Sequence, residues 1–441
     1  MRFKAKVLVV FLSTLITLYA IIGGFLSKSG QAVARDSSYA QLAIFNEVLG
    51  HIIHDYVDEP DLEKVRIGSL RGLAEGLDPY SAYLTAEQVK HYSTQPGPAE
   101  TGMTVSKFNG YAYVVAVLKG SPAEQAGIQE GDFIEYIGKI PSRDLSLYDI
   151  GQLLTGQPGT AVALRTVHQG QSRKVSVTLA KVAQPLMESR IEETGIGYLK
   201  ITSLADGRSA EVKKALNDLV SKGAQKIVLD LRNLANGKLQ EGISVANMFV
   251  GSGVLAQVIG KEGKEDQAFT ADPSKVVFTG ALTVVIDRST AGPAEVIAAA
   301  IEGQKRGEVV GERTFGAGSD QQLFSLSDGG ALLITIDKYA PASGKAFMDE
   351  PVTPTVKVDR PVEADVIAPD GEDDDDHPEE KPDAQANPTP PAPPAEDIQL
   401  KKALEILKQT PAKAQAAKHA AMRDFEHRID DNARYERRRA A

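Results

Sequence analysis

The stretch Val284–Gln321 reads VVIDRSTAGPAEVIAAAIEGQKRGEVVGERTFGAGSDQ. With Leu282 and Thr283 before it, it opens on an apolar run ending at Ile286, the pattern of a buried strand. A turn containing Gly292 and Pro293 follows, and a helix starts between Pro293 and Glu295. Proline suits that start because its missing N–H would be unpaired in the first turn of a helix anyway. A strand that turns sharply into a helix presents one residue at the helix N-terminus, where backbone N–H groups can hold an oxyanion.

Upstream, the sequence alternates strands and helices. Ile196–Ile201 reads as a strand, Arg208–Lys222 as an amphipathic helix and Lys226–Arg232 as a buried strand. This rhythm implies a sheet covered by helices. Earlier still, Ser121–Ile140 reads SPAEQAGIQEGDFIEYIGKI. A short helix (Pro122–Ala126) ends at Gly127, and Gly131-Asp132 turns into a strand, Phe133–Ile137. A helix, a Gly/Pro turn and another strand follow from Leu147 to Val167. This pattern resembles a PDZ domain. The resemblance implies that an extended peptide adds to an open sheet edge, its carboxylate held by the loop Thr101-Gly102-Met103-Thr104-Val105. A spacer role without peptide binding is the plainer alternative.

The whole stretch from Tyr39 to Asp359 resembles the C-terminal processing peptidases, also called tail-specific proteases. In that family the turn reads S-A-S-A-S-E, and its middle serine attacks the peptide carbonyl. A lysine in T-F-G-K-G is the serine's base. Glu295 fits the family's glutamate, and Thr314, Phe315 and Gly316 fit T-F-G. Both anchors then place Gly292 at the nucleophile and Ala317 at the base, 25 residues apart as in the family. Gln321 matches a glutamine that orients the lysine in some members. The family's D-L-R-N-N-P-G-G, whose glycine pair helps form the oxyanion hole, reads here Asp230-Leu231-Arg232-Asn233-Leu234-Ala235-Asn236-Gly237. Pro293 stands where the family has alanine, and it removes an N–H that would hold the oxyanion. Leu77–Leu84 (LDPYSAYL) is similar to the family's L-D-P-H-S-x-Y, and Lys338–Phe347 (KYAPASGKAF) to its Y-x-T-P-S-G-R.

A serine attacks only when a base takes its proton, and a lysine is that base only when burial lowers its pKa. Glycine and alanine supply neither group. Ser289 and Thr290 lie two or three residues upstream, displaced by several ångströms, and a misplacement of ~1 Å already costs on the order of a hundredfold. Between Tyr92 and Asp376 the sole histidine is His168, and the chain has no cysteine, so a Ser-His or Cys-His site has no local material. The resemblance therefore implies a degenerate, non-catalytic member that binds polypeptide C-termini or unfolded protein, or an active paralogous peptidase. The alternative is an active serine endopeptidase using Ser289 or Thr290.

Composition agrees with a globular protein: 441 residues, 42% hydrophobic and 24% charged. A net charge of −10 argues against nucleic acid as a partner. With no cysteine and seven scattered histidines, no metal or other cofactor is expected. Arg2, Lys4 and Lys6 precede the uncharged run Val7–Leu26, whose helix would span about 30 Å, a bilayer core. The leading cations favour a cytoplasmic start and an exported body, on the periplasmic side of a bacterial inner membrane. The segment is read as an uncleaved anchor, with a signal peptide cleaved after Ala32-Val33-Ala34 as the alternative.

The expected fold class is multidomain α/β (α+β): N-terminal helices, a PDZ domain, a ββα/crotonase-like peptidase core with a mixed sheet, a disordered acidic Pro-rich linker and a C-terminal helix. The boundaries are 1–36 for the signal-anchor or signal peptide, 37–98 for the helical region, 99–183 for the PDZ domain and 184–362 for the peptidase core. The linker spans 363–396 and the basic helical tail 397–441.

Overall fold

In a computed structural model of the chain, residues 40–92, 97–183, 187–193, 195–360 and 396–411 are described. The proposed anchor Val7–Leu26, the acidic run of the linker and the basic tail beyond 411 lie outside them. Among the described residues no helix is long and apolar enough to cross a membrane. The chain divides into two units, residues 1–70 and 71–441.

In the first unit, residues 40–55 are helical, and α1 (Leu62–Glu75) starts at Leu62. Residues 37–84 read as two helices from the sequence, and Leu42, Phe45, Val48, Leu49, Ile52 and Ile53 recur at helical spacing along the first.

The second unit contains a PDZ fold, a parallel sheet and an antiparallel sheet. The PDZ sheet runs β1 (Met103–Phe108), β2 (Tyr111–Val117), β3 (Phe133–Ile137), β4 (Ala161–His168) and β5 (Gln171–Thr178), in that order and antiparallel throughout. Helix α2 (Pro122–Gln125) is capped by the Ser121 hydroxyl, and α3 (Leu147–Leu153) by a Ser146/Asp149 capping box. The apolar sides of both helices close a core around Val114, Ile134, Ile150 and Val177. β1 and β5 end the sheet, so β1 has an open outer edge.

The second sheet begins with β6 (Glu188–Glu193), antiparallel to β7 (Ile196–Lys200). Beside β7 lie β8 (Lys226–Asp230), then β11 (Ala281–Ile286), β12 (Glu308–Gly311) and β15 (Val356–Lys357), all parallel. The crossovers are α4 (Arg208–Ser221), α5 (Leu239–Asn247) and α6 (Pro293–Gly303). The sequence ALTVVI of β11 is buried at every position. Leu282, Val284 and Ile286 join the core with α4, α5 and α6, while Ala281 and Val285 face the other side. A strand covered on both faces has no polar side to alternate with, which is why the run is continuous.

The cover on that other face is α7 (Ile398–Gln409). Its Ala403 and Leu407 pack on Ile196, Tyr198, Val228 and Val285. Lys226 Nζ donates to the Leu407 carbonyl at 2.6 Å, and Arg232 donates twice to Asp397 at 2.8 Å, so both ends of α7 are held. Removing a fully buried leucine such as Leu407 from water contributes about 1.5–3 kcal/mol. The antiparallel sheet joins β14 (Ala331–Ala340) to β9 (Val254–Ile259), β13 (Ser319–Ser325) and the short strand Ala82–Leu84, with β10 (Glu265–Thr270) outside β9.

Candidate active site

The elbow forms where expected. β11 ends at Ile286 and α6 begins at Pro293, with Gly292 between them at φ 58° and ψ −120°. This is the strained strand-to-helix conformation in which hydrolases present a nucleophile, and glycine adopts it freely. A Cβ built on Gly292 meets nothing within 4 Å. The position is thus a vacancy with room for a side chain.

Glu295 organises the site, a role the sequence did not disclose. Its carboxylate is fully buried and accepts from Gly292 N at 2.9 Å and from Ala317 N at 2.8 Å through the same oxygen, Oε2. Its other oxygen accepts from Gly316 N at 3.0 Å and from the Thr314 hydroxyl at 2.5 Å. One carboxylate therefore ties the backbones of positions 292 and 317 together. Burial pushes Glu295 up to about 7 despite these four donors.

A raised carboxyl pKa stabilises the fold most below the unfolded value of 4.5 and loses that contribution as pH rises through about 7. The span is on the order of 3 kcal/mol. Urea unfolding at pH 5 and pH 8 is expected to show the natural chain losing stability on the alkaline side relative to Glu295→Gln, which cannot ionise. Parallel curves for the two proteins would refute the assignment.

The hydroxyls upstream are engaged elsewhere. Ser289 is buried and donates to Glu130 Oε2 at 2.7 Å. Thr290 is buried, and its one hydroxyl proton is shared between the Leu231 carbonyl at 3.0 Å and Asp287 Oδ1 at 3.1 Å. Burial, with the charge of Glu130 next in effect, raises Asp287 to about 6.

Pro293 opens α6, so no N–H is available there. Gly237 sits at φ 136°, and a Cβ on it would lie 2.4 Å from Leu204 Cβ; the packing against Leu204 alone excludes a side chain. Asn236 is half-exposed beside it. Gln321 donates to Ser319 Oγ at 2.7 Å and to Thr335 Oγ1 at 3.3 Å. Thr335 donates in turn to Asp78 at 3.1 Å, and Asp78 accepts from the N–H groups of Tyr80 and Ser81 at 2.8 and 2.9 Å. The LDPYS turn is thereby fastened to β14. The hydroxyl of Tyr80 lies 3.5 Å from Ser106 of the PDZ strand β1, and burial raises its pKa with a contribution from the charge of Glu295.

In the PDZ domain, Gly102 stands at φ 77°, and an added Cβ would meet Ser121 Cβ at 2.4 Å. Its carbonyl accepts from Leu118 N at 2.8 Å. Met103, Thr104 and Val105 start the edge strand β1, with α3 alongside. The PDZ loop and positions 292 and 317 are separate places on the chain, yet the PDZ domain rests on the loops that carry Asn233, Ser289 and Phe315. The Asn233 side chain pairs with the backbone of Val117 as a strand would, accepting from its N–H at 3.0 Å and donating to its carbonyl at 2.7 Å. Tyr113 stacks on Phe315 with ring centroids 6.0 Å apart. Glu130 reaches Ser289 and pairs with Arg360. Each of these contacts joins residues more than a hundred positions apart in the chain, so local patterns could not reveal them.

The comparisons with known proteins agree with this geometry. Residues 195–358 match the model of peptidase family S41, and residues 113–167 match a PDZ domain model. The carboxyl-terminal-processing protease of Picosynechococcus sp. (strain ATCC 27264 / PCC 7002 / PR-6) is 31% identical over 62% of this chain and 67% of its own length. The carboxy-terminal processing protease CtpA of Bacillus subtilis (strain 168) is 29% identical over 82% of this chain and 78% of its own. Among solved structures, the photosystem II D1 C-terminal processing protease superimposes with a TM-score of 0.61 at 27% identity, covering 68% of this chain and 84% of that one. A fold with a PDZ domain on a helix-covered sheet, and an elbow at its carboxyl edge, defines an S41-type peptidase architecture. The chain belongs to the C-terminal processing peptidases of family S41.

Proposed function

We propose that this chain is a non-catalytic member of its family, which binds polypeptides through the PDZ domain and the vacated cleft without cutting them. The observation that carries this reading is the elbow itself: the conformation is kept at Gly292, while the two hydroxyls nearby, Ser289 and Thr290, are buried and bonded to other groups. Ala317 offers no proton acceptor. Two further features support the same reading, the missing N–H at Pro293 and Asn236 in place of the family's glycine. The ligand class is polypeptide C-termini or unfolded protein, with an active relative as a possible second partner. The basic residues before Val7–Leu26 support a position on the outer side of a bacterial inner membrane.

The test is turnover. The purified full chain, incubated with casein, is expected to give no cleavage above blank, and a serine-directed fluorophosphonate is expected to label no residue. Casein retained on the immobilised protein completes the expected result. Labelling of Ser289 or Thr290, or turnover that persists through further purification, would overturn the proposal.

A further inference from the structure

β13 (Ser319–Ser325) lies at one edge of the antiparallel sheet, and among the described residues no strand pairs with its outer side. We propose that a bound polypeptide adds there as one more strand, antiparallel to β13, with an apolar side chain packed on Phe324. The inference rests on the polypeptide-binding reading above and deepens it, by naming the edge that takes the chain.

The first observation is the direction of the backbone groups. The Tyr339 N–H donates to the Gly318 carbonyl at 2.9 Å, and this bond flanks the facing pair Ser319 and Lys338. Ser319 therefore turns its own N–H and C=O away from β14. The register shift after Asp320 takes its extra residue, Ile336, from β14, so β13 itself runs unbroken. Alternation along the strand then turns the backbone groups of Gln321 and Leu323 outward as well.

The second is that this edge is unguarded. Open strands template pairing unless charges, prolines or bulges blunt them. β10, at the opposite edge of the same sheet, bears Glu265 and Asp266, and its pairing with β9 is shifted twice. β6 bears three glutamates and Arg190, and β5 bears Arg173 and Lys174. β13 has one charge, Asp320, which accepts the Tyr339 hydroxyl at 2.7 Å. From Gln321 to Ser325 it has no charge and no proline, and Phe324 is 42% exposed.

The third is position. β13 starts two residues after Ala317, whose N–H shares Glu295 Oε2 with the N–H of Gly292. The sheet is antiparallel at every pairing, the arrangement that is slightly more stable per residue. A polypeptide antiparallel to β13 runs from Phe324 to Ser319, about 17 Å, and leaves the edge beside the vacated site.

The experiment measures binding of a fluorescein-labelled peptide to the full chain. Its sequence is two lysines followed by alternating valine and threonine, with an amidated C-terminus so that no carboxylate is offered to the PDZ loop. Leu323→Pro removes an outward N–H and leaves the ladder to β14 intact, as proline is tolerated on edge strands. It is expected to weaken binding roughly tenfold, with Leu323→Ala close to the natural chain and Phe324→Ser weakened several-fold. N-methylation of alternate peptide residues, which leaves the protein untouched, is expected to abolish binding. A Leu323→Pro protein that melts like the natural one and retains peptide and casein equally well overturns the proposal, while leaving polypeptide binding intact. Unchanged binding of the N-methylated peptide overturns it too. Failure of the natural chain to retain either peptide or casein overturns both readings. Self-association that Leu323→Pro abolishes, with no peptide bound, overturns the proposal in favour of a second copy of the chain. The place is read by disulfide trapping, because the chain has no cysteine and Gln322→Cys supplies a single exposed thiol on β13. Trapping of peptides with cysteine at successive positions is expected to alternate with a period of two. A flat profile, or equal trapping by Gln267→Cys on β10, overturns the assignment.

Discussion

The triple variant Gly292→Ser, Pro293→Ala, Ala317→Lys is expected to hydrolyse casein on the order of a hundredfold faster than the double variant lacking Pro293→Ala. The double variant restores an attacking oxygen and an amine. Position 292 has space for the serine side chain, and the Glu295 bridge already holds positions 292 and 317 together. It leaves the first helical residue without its N–H, and losing one oxyanion donor typically costs about 10²–10³ in rate. Activity of the double alone is therefore expected to be barely above blank. The serine also brings backbone strain of about 1–3 kcal/mol at φ 58°, visible as a lowered melting temperature. Initial rates on casein and fluorophosphonate labelling of residue 292 check the expectation. Equal rates for double and triple would show that the lost N–H is not the limiting defect.

The second large effect concerns stability. Arg232→Ala is expected to destabilise the core by about 3–5 kcal/mol. Asp230 is fully buried, and burial alone would push its pKa up; hydrogen bonds and charge from Arg232 outweigh this and hold it below the ordinary carboxylate range. Tyr198 adds a hydrogen bond at 2.7 Å. A depressed pKa contributes stability that is present above the unfolded value and lost as pH falls. Without Arg232 the buried carboxylate is uncompensated and the sign reverses, so the variant gains stability on acidification where the natural chain loses it. Urea titrations at pH 3 and pH 7, on either side of the unfolded value of 3.8, separate the two slopes. Arg232→Lys keeps the charge but loses the planar fork, and is expected to recover only part of the loss. Asp397→Asn, at a half-exposed group, is expected to cost about 1 kcal/mol or less.

Much of this was legible from residues close together in the chain. The strand before Gly292, the proline opening α6 and the Gly131-Asp132 turn follow local rules, and the structure places each where those rules put it. The βαβ rhythm identified β7, α4 and β8 with boundaries shifted by one or two residues, as hydrogen bonding frays at element ends. What stayed hidden acts through space. Glu295 served as an alignment anchor, and nothing in its neighbours announces that it binds position 317. Asn233 belongs to a motif of the core, but its amide pairs with a PDZ strand. The fit of α7 over the parallel sheet depends on Arg232 meeting Asp397 across a stretch of 165 positions. Periodicity identifies which face of a helix is apolar, but not which surface receives it.

On the non-catalytic reading proposed above, the glycine at the elbow makes the loss of catalysis a one-way step. An active relative must keep a side chain in a conformation that L-residues resist, and the rest of its fold must offset that penalty. Gly292 relaxes the penalty by about 1–3 kcal/mol, a large share of the margin by which most domains stay folded. Other substitutions can draw on the margin so released, and once they have, a serine at position 292 would leave the protein less stable than it is with glycine.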